Sequence, residues 1–137
     1  MRQLSLFENQ IPDMEPLLKA AMNRAAKRCG LSREQIVDRM NEIAGMGGFR
    51  LNKNARTLSL DVLEKWLNPI ERDYVPSHNA LQVFMAATGD TEPLRVAAGI
   101  QGYELVGGDD LKILKAAKIE REIKDLKRRK RRLEQEL

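Results

Sequence analysis

One cysteine, one histidine and six aromatic residues are all that this chain of 137 residues holds of the side chains on which much chemistry is built. The lone Cys29 excludes an internal disulfide and fits a reducing compartment. With no second cysteine and only His78 besides, nothing joins Cys29 in a metal site of the usual spacing, and neither metal nor cofactor is expected. Neither familiar form of glycine-rich phosphate loop is present. Catalysis by acids, bases or nucleophiles needs groups held in a pocket, whereas the acids here fall mostly on exposed helix faces. An enzyme is not expected. No apolar run approaches a membrane span and the first residues lack a signal-peptide pattern, so the expectation is a soluble, cytoplasmic protein with no membrane contact. Scarce aromatics leave Leu, Ile, Val, Met and Ala to fill the core, which favours packed helices over a β-sandwich.

Charge is unevenly spread. The formal net charge is +4, yet residues 112–137 hold eleven bases against five acids, a local +6, which leaves −2 for residues 1–111. The basic character therefore belongs to the C-terminal stretch and not to the body.

The chain is organised around residues 32–69, which read as two helices, 32–44 and 59–67, joined by a glycine-rich, basic connection. Ser32 and Gln35 make a capping box, and Ile36, Val37, Met40, Ile43 and Ala44 recur at helical spacing until Gly45 stops the helix. The second helix opens at Ser59, with Leu58 and Leu63 placed as a hydrophobic staple. Leu60, Leu63, Trp66 and Leu67 make its apolar stripe, and Asn68-Pro69 ends it. Two short amphipathic helices in a small all-α domain suggest a helix-turn-helix.

Around this pair the chain divides into an extended arm (1–12), a helical domain (13–108) and a basic helix (109–137). Within the arm, Gln3-Leu4-Ser5-Leu6-Phe7 looks like the pentapeptide with which many bacterial proteins bind the replication sliding clamp, Gln3, Leu4, Leu6 and Phe7 being its contact residues. The alternative is that Leu4, Leu6 and Phe7 fold back on the domain. A helix over 15–29 should bury Leu17, Leu18, Ala21, Met22, Ala25 and Cys29 and expose Lys19, Arg24, Lys27 and Arg28. The connection 45–57 is long for a helix-turn-helix. Phe49 and Leu51 could tuck inward or frame a short hairpin around 52–54, leaving Arg50, Lys53 and Arg56 able to touch phosphate; the alternative is a solvated loop. Ser77 caps a fourth helix with Leu81, Val83, Phe84, Ala87 and Thr88 on its core face and Gly89 at its end. A short fifth helix, entered through 90–93, carries Leu94, Val96, Ala97 and Ala98. Across 99–108 the pattern breaks, and Tyr103, Leu105 and Val106 are expected to pack as a short extended piece.

From 109 onward the reading is one long polar helix. Ala116, Ile119, Ile123, Leu126, Lys130, Leu133 and Leu137 line a heptad seam, a possible short coiled coil in which Ile119, Ile123, Leu126 and Leu133 carry oligomerisation. Lys127, Arg128, Arg129, Lys130, Arg131 and Arg132 form an unbroken basic run that can neutralise several phosphates, unless it is only a solvated helix end.

Residues 32–40, the stretch LSLDVLEKWLNP (58–69) and the segment 76–94 with its Ala-Thr-Gly-Asp (87–90) together resemble phage and prophage regulators of the lambda-repressor-like helix-turn-helix class, most of all the phage CII-type regulators. The resemblance spans roughly residues 17–106. It implies a five-helix domain, a cytoplasmic transcriptional regulator that binds double-stranded DNA, and a homodimer. Candidate DNA contacts are then Arg50, Lys53, Arg56, Lys65 and Asn68, with Lys127, Arg128, Arg129, Arg131 and Arg132 of the basic helix. The chain departs from the pattern in its recognition helix, where Asp61 and Glu64 would repel a duplex, and in its long connection. Two other functions fit the same residues: an adaptor that reaches the sliding clamp through 3–7, and a phage packaging or assembly subunit.

Overall fold

A computed structural model of the chain describes residues 11–53 and 55–137, and among these the regular structure is helical. Six helices follow in order: α1 (Met14–Arg28), α2 (Arg33–Gly47), α3 (Leu60–Leu67), α4 (His78–Thr88), α5 (Glu92–Ile100) and α6 (Gly108–Gln135). Two compact units result, one reaching to Glu104 with α1–α5 and one, Leu105–Leu137, with α6. No helix among the described residues is long and apolar enough to cross a membrane.

The helix starts follow from local chemistry. Asp13 accepts from the Glu15 amide at 3.3 Å. Ser32 and Gln35 close a reciprocal capping box, the Gln35 amide donating to Ser32 Oγ at 3.1 Å and the Ser32 amide to Gln35 Oε1 at 2.8 Å. Ser59 Oγ receives the Val62 amide at 3.3 Å and Ser77 Oγ the Ala80 amide at 3.1 Å. For α5 the acceptor is the Asp90 carboxylate, 2.9 Å from the Glu92 amide, and Pro93 in the first turn has no amide to strand.

The end of α2 differs from the sequence expectation. Gly45 lies inside the helix, which runs two residues further and closes at Gly48 with φ +74°. A glycine in mid-helix costs only about 1 kcal/mol relative to alanine, so Gly45 alone cannot stop a helix whose next turn still makes bonds. Gly48 can, because its left-handed backbone lets the Phe49 amide reach back to the Ala44 carbonyl at 2.9 Å.

The core of the first unit lies between two helix pairings, α1 against α5 and α2 against α4, with α3 touching both α1 and α2. Met22, Ile36, Met40, Leu63 and Phe84 are fully enclosed there, and Trp66 nearly so. Each such side chain contributes about 1.5–3 kcal/mol through burial. Leu58 and Leu63, the expected staple, are both in this core, as is Leu51 from the loop before α3.

Several expected positions change sides. Leu17 is 42% exposed while Lys19, two residues on, is 1% exposed. Leu94 also faces out, and in α5 only Pro93 is buried. Thr88 donates its hydroxyl to the Phe84 carbonyl at 2.9 Å and lies half-buried at the core's edge. No strand forms after α5 among the described residues. The Gln101, Gly102 and Tyr103 amides instead fold back onto the Ala98 and Gly99 carbonyls, so no ladder is available, and Tyr103 and Val106 face solvent.

Candidate nucleic-acid interface

The helix proposed to read DNA, α3, has only eight residues and could not hold its shape alone. Its position is set from outside. Lys19 of α1 enters the interior beside the last turn of α3, where its ammonium donates to the carbonyls of Lys65 (2.9 Å), Asn68 (3.2 Å) and Glu71. A cation at a helix C-terminus meets the negative end of the helix dipole, and here all three of its protons are used. Burial lowers the Lys19 pKa from its ordinary value, with Glu71 and Glu15 opposing. At the other end, Asn41 of α2 clasps the peptide of Leu58: its Oδ1 accepts the Leu58 amide at 2.8 Å and its Nδ2 donates to the Leu58 carbonyl at 3.0 Å.

Neither Lys19 nor Asn41 stood out in the sequence as a site residue, though both carried a signal. Lys19 shares helical spacing with Met22 and Ala26, and Asn41 with Val37 and Ala44, so each polar residue stands on an apolar stripe.

The outward face of α3 is largely spoken for. Lys65 pairs with Asp61 at 3.3 Å and stands 4.3 Å from the centre of the Tyr74 ring. Tyr74 and Asp61, in that order, raise its pKa and keep it charged. Glu64 pairs with Arg33 of α2, whose guanidinium also donates to Asn23 Oδ1 at 3.0 Å. Asn68 accepts the Ile70 amide on Oδ1 at 3.1 Å. These residues line a shallow polar cleft of about 430 Å³ from which Asp61 projects, its side chain 79% exposed. Lys65 and Asn68 therefore hold this face together, and the more exposed member of its Lys65–Asp61 pair is the carboxylate, the wrong sign for phosphate.

The α2–α3 connection is different. Leu51 anchors it in the core, and an isolated antiparallel bridge between Asn52 and Ala55 turns it through Lys53. Of the two apolar residues expected to tuck inward, only Leu51 is enclosed. Phe49 is 37% exposed, and its ring lies so close over Gly47 that a side-chain carbon there would come within 2.6 Å of it. Arg50, Lys53 and Arg56 are all exposed, and none makes an ion pair among the described residues. Arg50 and Lys53 stand at one side of a groove of about 840 Å³ that Trp66, Tyr74, Asp73 and Asn79 also line.

In α6 every residue of the basic run is exposed. Arg128 approaches Asp125 at 3.9 Å and Lys130 approaches Glu134 at 3.8 Å, both loose contacts within one helix, while Lys127, Arg129, Arg131 and Arg132 have no such neighbour among the described residues. The seam residues Ile119, Ile123, Leu126 and Leu133 are 46–64% exposed. Gln3, Leu4, Leu6 and Phe7 lie outside the described residues. Among those described, no group of His, Cys, Asp and Glu is arranged to hold a metal ion, and Cys29 is half-buried with its thiol directed to the Ala26 carbonyl at 3.3 Å. No family model, no curated protein and no solved structure matches this chain.

Proposed function

We propose that the chain is a double-stranded DNA-binding regulator of phage or prophage type, in which α2 and α3 serve as a helix-turn-helix and α6 adds grip on phosphate. The observation that carries this reading is a division of charge. Around α3 the cations Lys65, Arg33 and Lys19 are consumed by neighbouring carboxylates or carbonyls, whereas Arg50, Lys53 and Arg56 on the loop, and most of the basic run in α6, make no ion pair among the described residues. Free cations on a loop braced by a buried Leu51 are placed to contact a polyanion, and a six-residue basic run displaces counterions from one.

Base reading falls to the loop, because Asp61 would be repelled by the duplex at the face where a recognition helix ordinarily offers Arg, Lys, Asn or Gln. The test is fluorescence anisotropy of a labelled duplex with the full chain over a series of salt concentrations. Affinity should fall steeply with salt. Replacing Arg50, Lys53 and Arg56 together by Gln should flatten the log–log slope by about 2.7, at roughly 0.9 for each phosphate no longer neutralised. Absent or salt-insensitive binding overturns the proposal.

A further inference from the structure

Along α6 no residue is buried, although Ile119, Ile123, Leu126 and Leu133 recur on one side of it. We propose that this face pairs with α6 of a second copy of the chain as a parallel, in-register, two-stranded coiled coil. Charge complementarity along the flanks of the seam identifies the occupant. With Ala116, Ile123, Lys130 and Leu137 at one core position and Ile119, Leu126 and Leu133 at the other, one flank is Lys115, Glu122, Arg129 and Glu136. The opposite flank contains Glu120, Lys127 and Glu134.

In a parallel pair each residue of the first flank meets the residue five positions on in the other chain. Lys115 then meets Glu120 of the second copy, Glu122 meets Lys127, and Arg129 meets Glu134. Every one of these is an opposite-charge pair, and each occurs twice by symmetry. Within one chain Lys115, Glu120, Glu122, Lys127 and Arg129 have no ion-pair partner among the described residues, so they are free to make these contacts. Glu134 has only the 3.8 Å contact to Lys130 to give up.

The seam decides the orientation. Parallel pairing stacks four consecutive apolar layers, Ala116, Ile119, Ile123 and Leu126, and confines the lysine to a single layer at Lys130. The antiparallel register that also balances the flank charges sets Lys130 against Ile119 on both sides of the centre, leaving only two adjoining apolar layers between them. Isoleucine at 123 with leucine at 126 and 133 suits two strands, and one charged residue in the seam fixes register and strand number at some cost in stability. The pairing leaves Lys118, Arg121, Lys124, Arg128, Arg131 and Arg132 on the outer surface of each strand, clear of the seam.

The test is sedimentation equilibrium of the full chain without nucleic acid, which makes its outcome independent of the DNA reading. The chain should dimerise reversibly. Glu122→Lys should weaken the dimer about fivefold, since it turns two attractions into two repulsions of the size usual for exposed pairs. Adding Lys127→Glu should restore the affinity. In the antiparallel register Glu122 would face Arg129 and Glu120 would face Lys127, so the double variant would instead be weaker than the single. That result, or a monomer at every concentration, overturns the proposal. Leu133→Cys in a Cys29→Ser chain supplies an independent check: it should form an interchain disulfide on oxidation. In the antiparallel register the two sulfurs would lie about 25 Å apart, and no cross-link would form.

Discussion

A lysine with 1% of its surface exposed is unusual unless the interior supplies what water did, and around Lys19 three backbone carbonyls do so. Those carbonyls belong to the last turn of α3 and the segment after it, and each also accepts one backbone amide, from Asn68, Glu71 and Tyr74, so the ammonium supplies their second, charge-assisted donor. Lys19→Met keeps the length and the apolar stem but removes the ammonium, and should cost about 2 kcal/mol in urea unfolding, the scale of hydrogen bonds made by a charged group. The pH dependence has a definite sign. Burial lowers the folded-state pKa of Lys19 below its ordinary 10.5, so in the window between the two values the unfolded chain binds more protons than the folded one. Stability contributed by this group therefore rises with pH through that window, and the difference between wild type and Lys19→Met should widen on the alkaline side. Asn41 presents the same logic without charge. Asn41→Leu strips both partners from the buried Leu58 peptide and should cost about 2 kcal/mol, whereas an exposed neighbour such as Glu42→Ala should cost under about 0.5 kcal/mol.

For the elements, what the sequence made legible was the local chemistry of helix starts. Ser32 with Gln35, Ser59 and Ser77 each make the bond expected of them, because a cap is decided within four residues and needs no tertiary information. Less legible were choices settled by packing. Gly45 reads as a stop but is carried through by the bonds of the following turn, and Lys19 is buried in place of Leu17 because the end of α3 and the segment after it offer three carbonyls to its ammonium. Tyr103, Leu105 and Val106 read as a short extended piece, yet no strand forms there, and the closing turn of α5 takes the amides of Gln101, Gly102 and Tyr103. Since α3 is short and its first turn depends on the Ser59 cap, Ser59→Ala should be felt locally. Loss of the cap should cost about 1 kcal/mol, and hydrogen exchange of the amides in 60–67 should quicken by about fivefold while those of α4 change less.

Across the whole chain, the distribution of charge was evident from composition, but its availability was not. The sequence places acids and bases along α2 and α3, and only the side-chain geometry shows that Arg33 of α2 and Lys65 of α3 are consumed by Glu64 and Asp61, while Arg50, Lys53 and Arg56 make no ion pair among the described residues. The distinction separates two kinds of contact with a duplex. On the proposed reading, the cations of the loop anchored by Leu51 and turned by the Asn52–Ala55 bridge are the candidates for contact with particular base edges. Arg128, Arg131 and Arg132, exposed on a regular helix, would on the proposed reading meet phosphates, which are alike in every sequence. Two triple variants should then behave differently although each removes three charges. Arg128, Arg131 and Arg132 replaced by Gln should weaken binding to all duplexes by the same factor and flatten the salt slope by about 2.7, leaving the ranking of sequences unchanged. Arg50, Lys53 and Arg56 replaced by Gln should flatten the slope similarly but also compress the differences between sequences, because it removes the part that distinguishes them. Competition of a labelled duplex with a random-sequence pool, followed by sequencing of the bound fraction, measures both effects at once. If the loop variant leaves the ranking intact, the loop is a phosphate contact like α6, and any sequence preference must come from α3 despite its carboxylates.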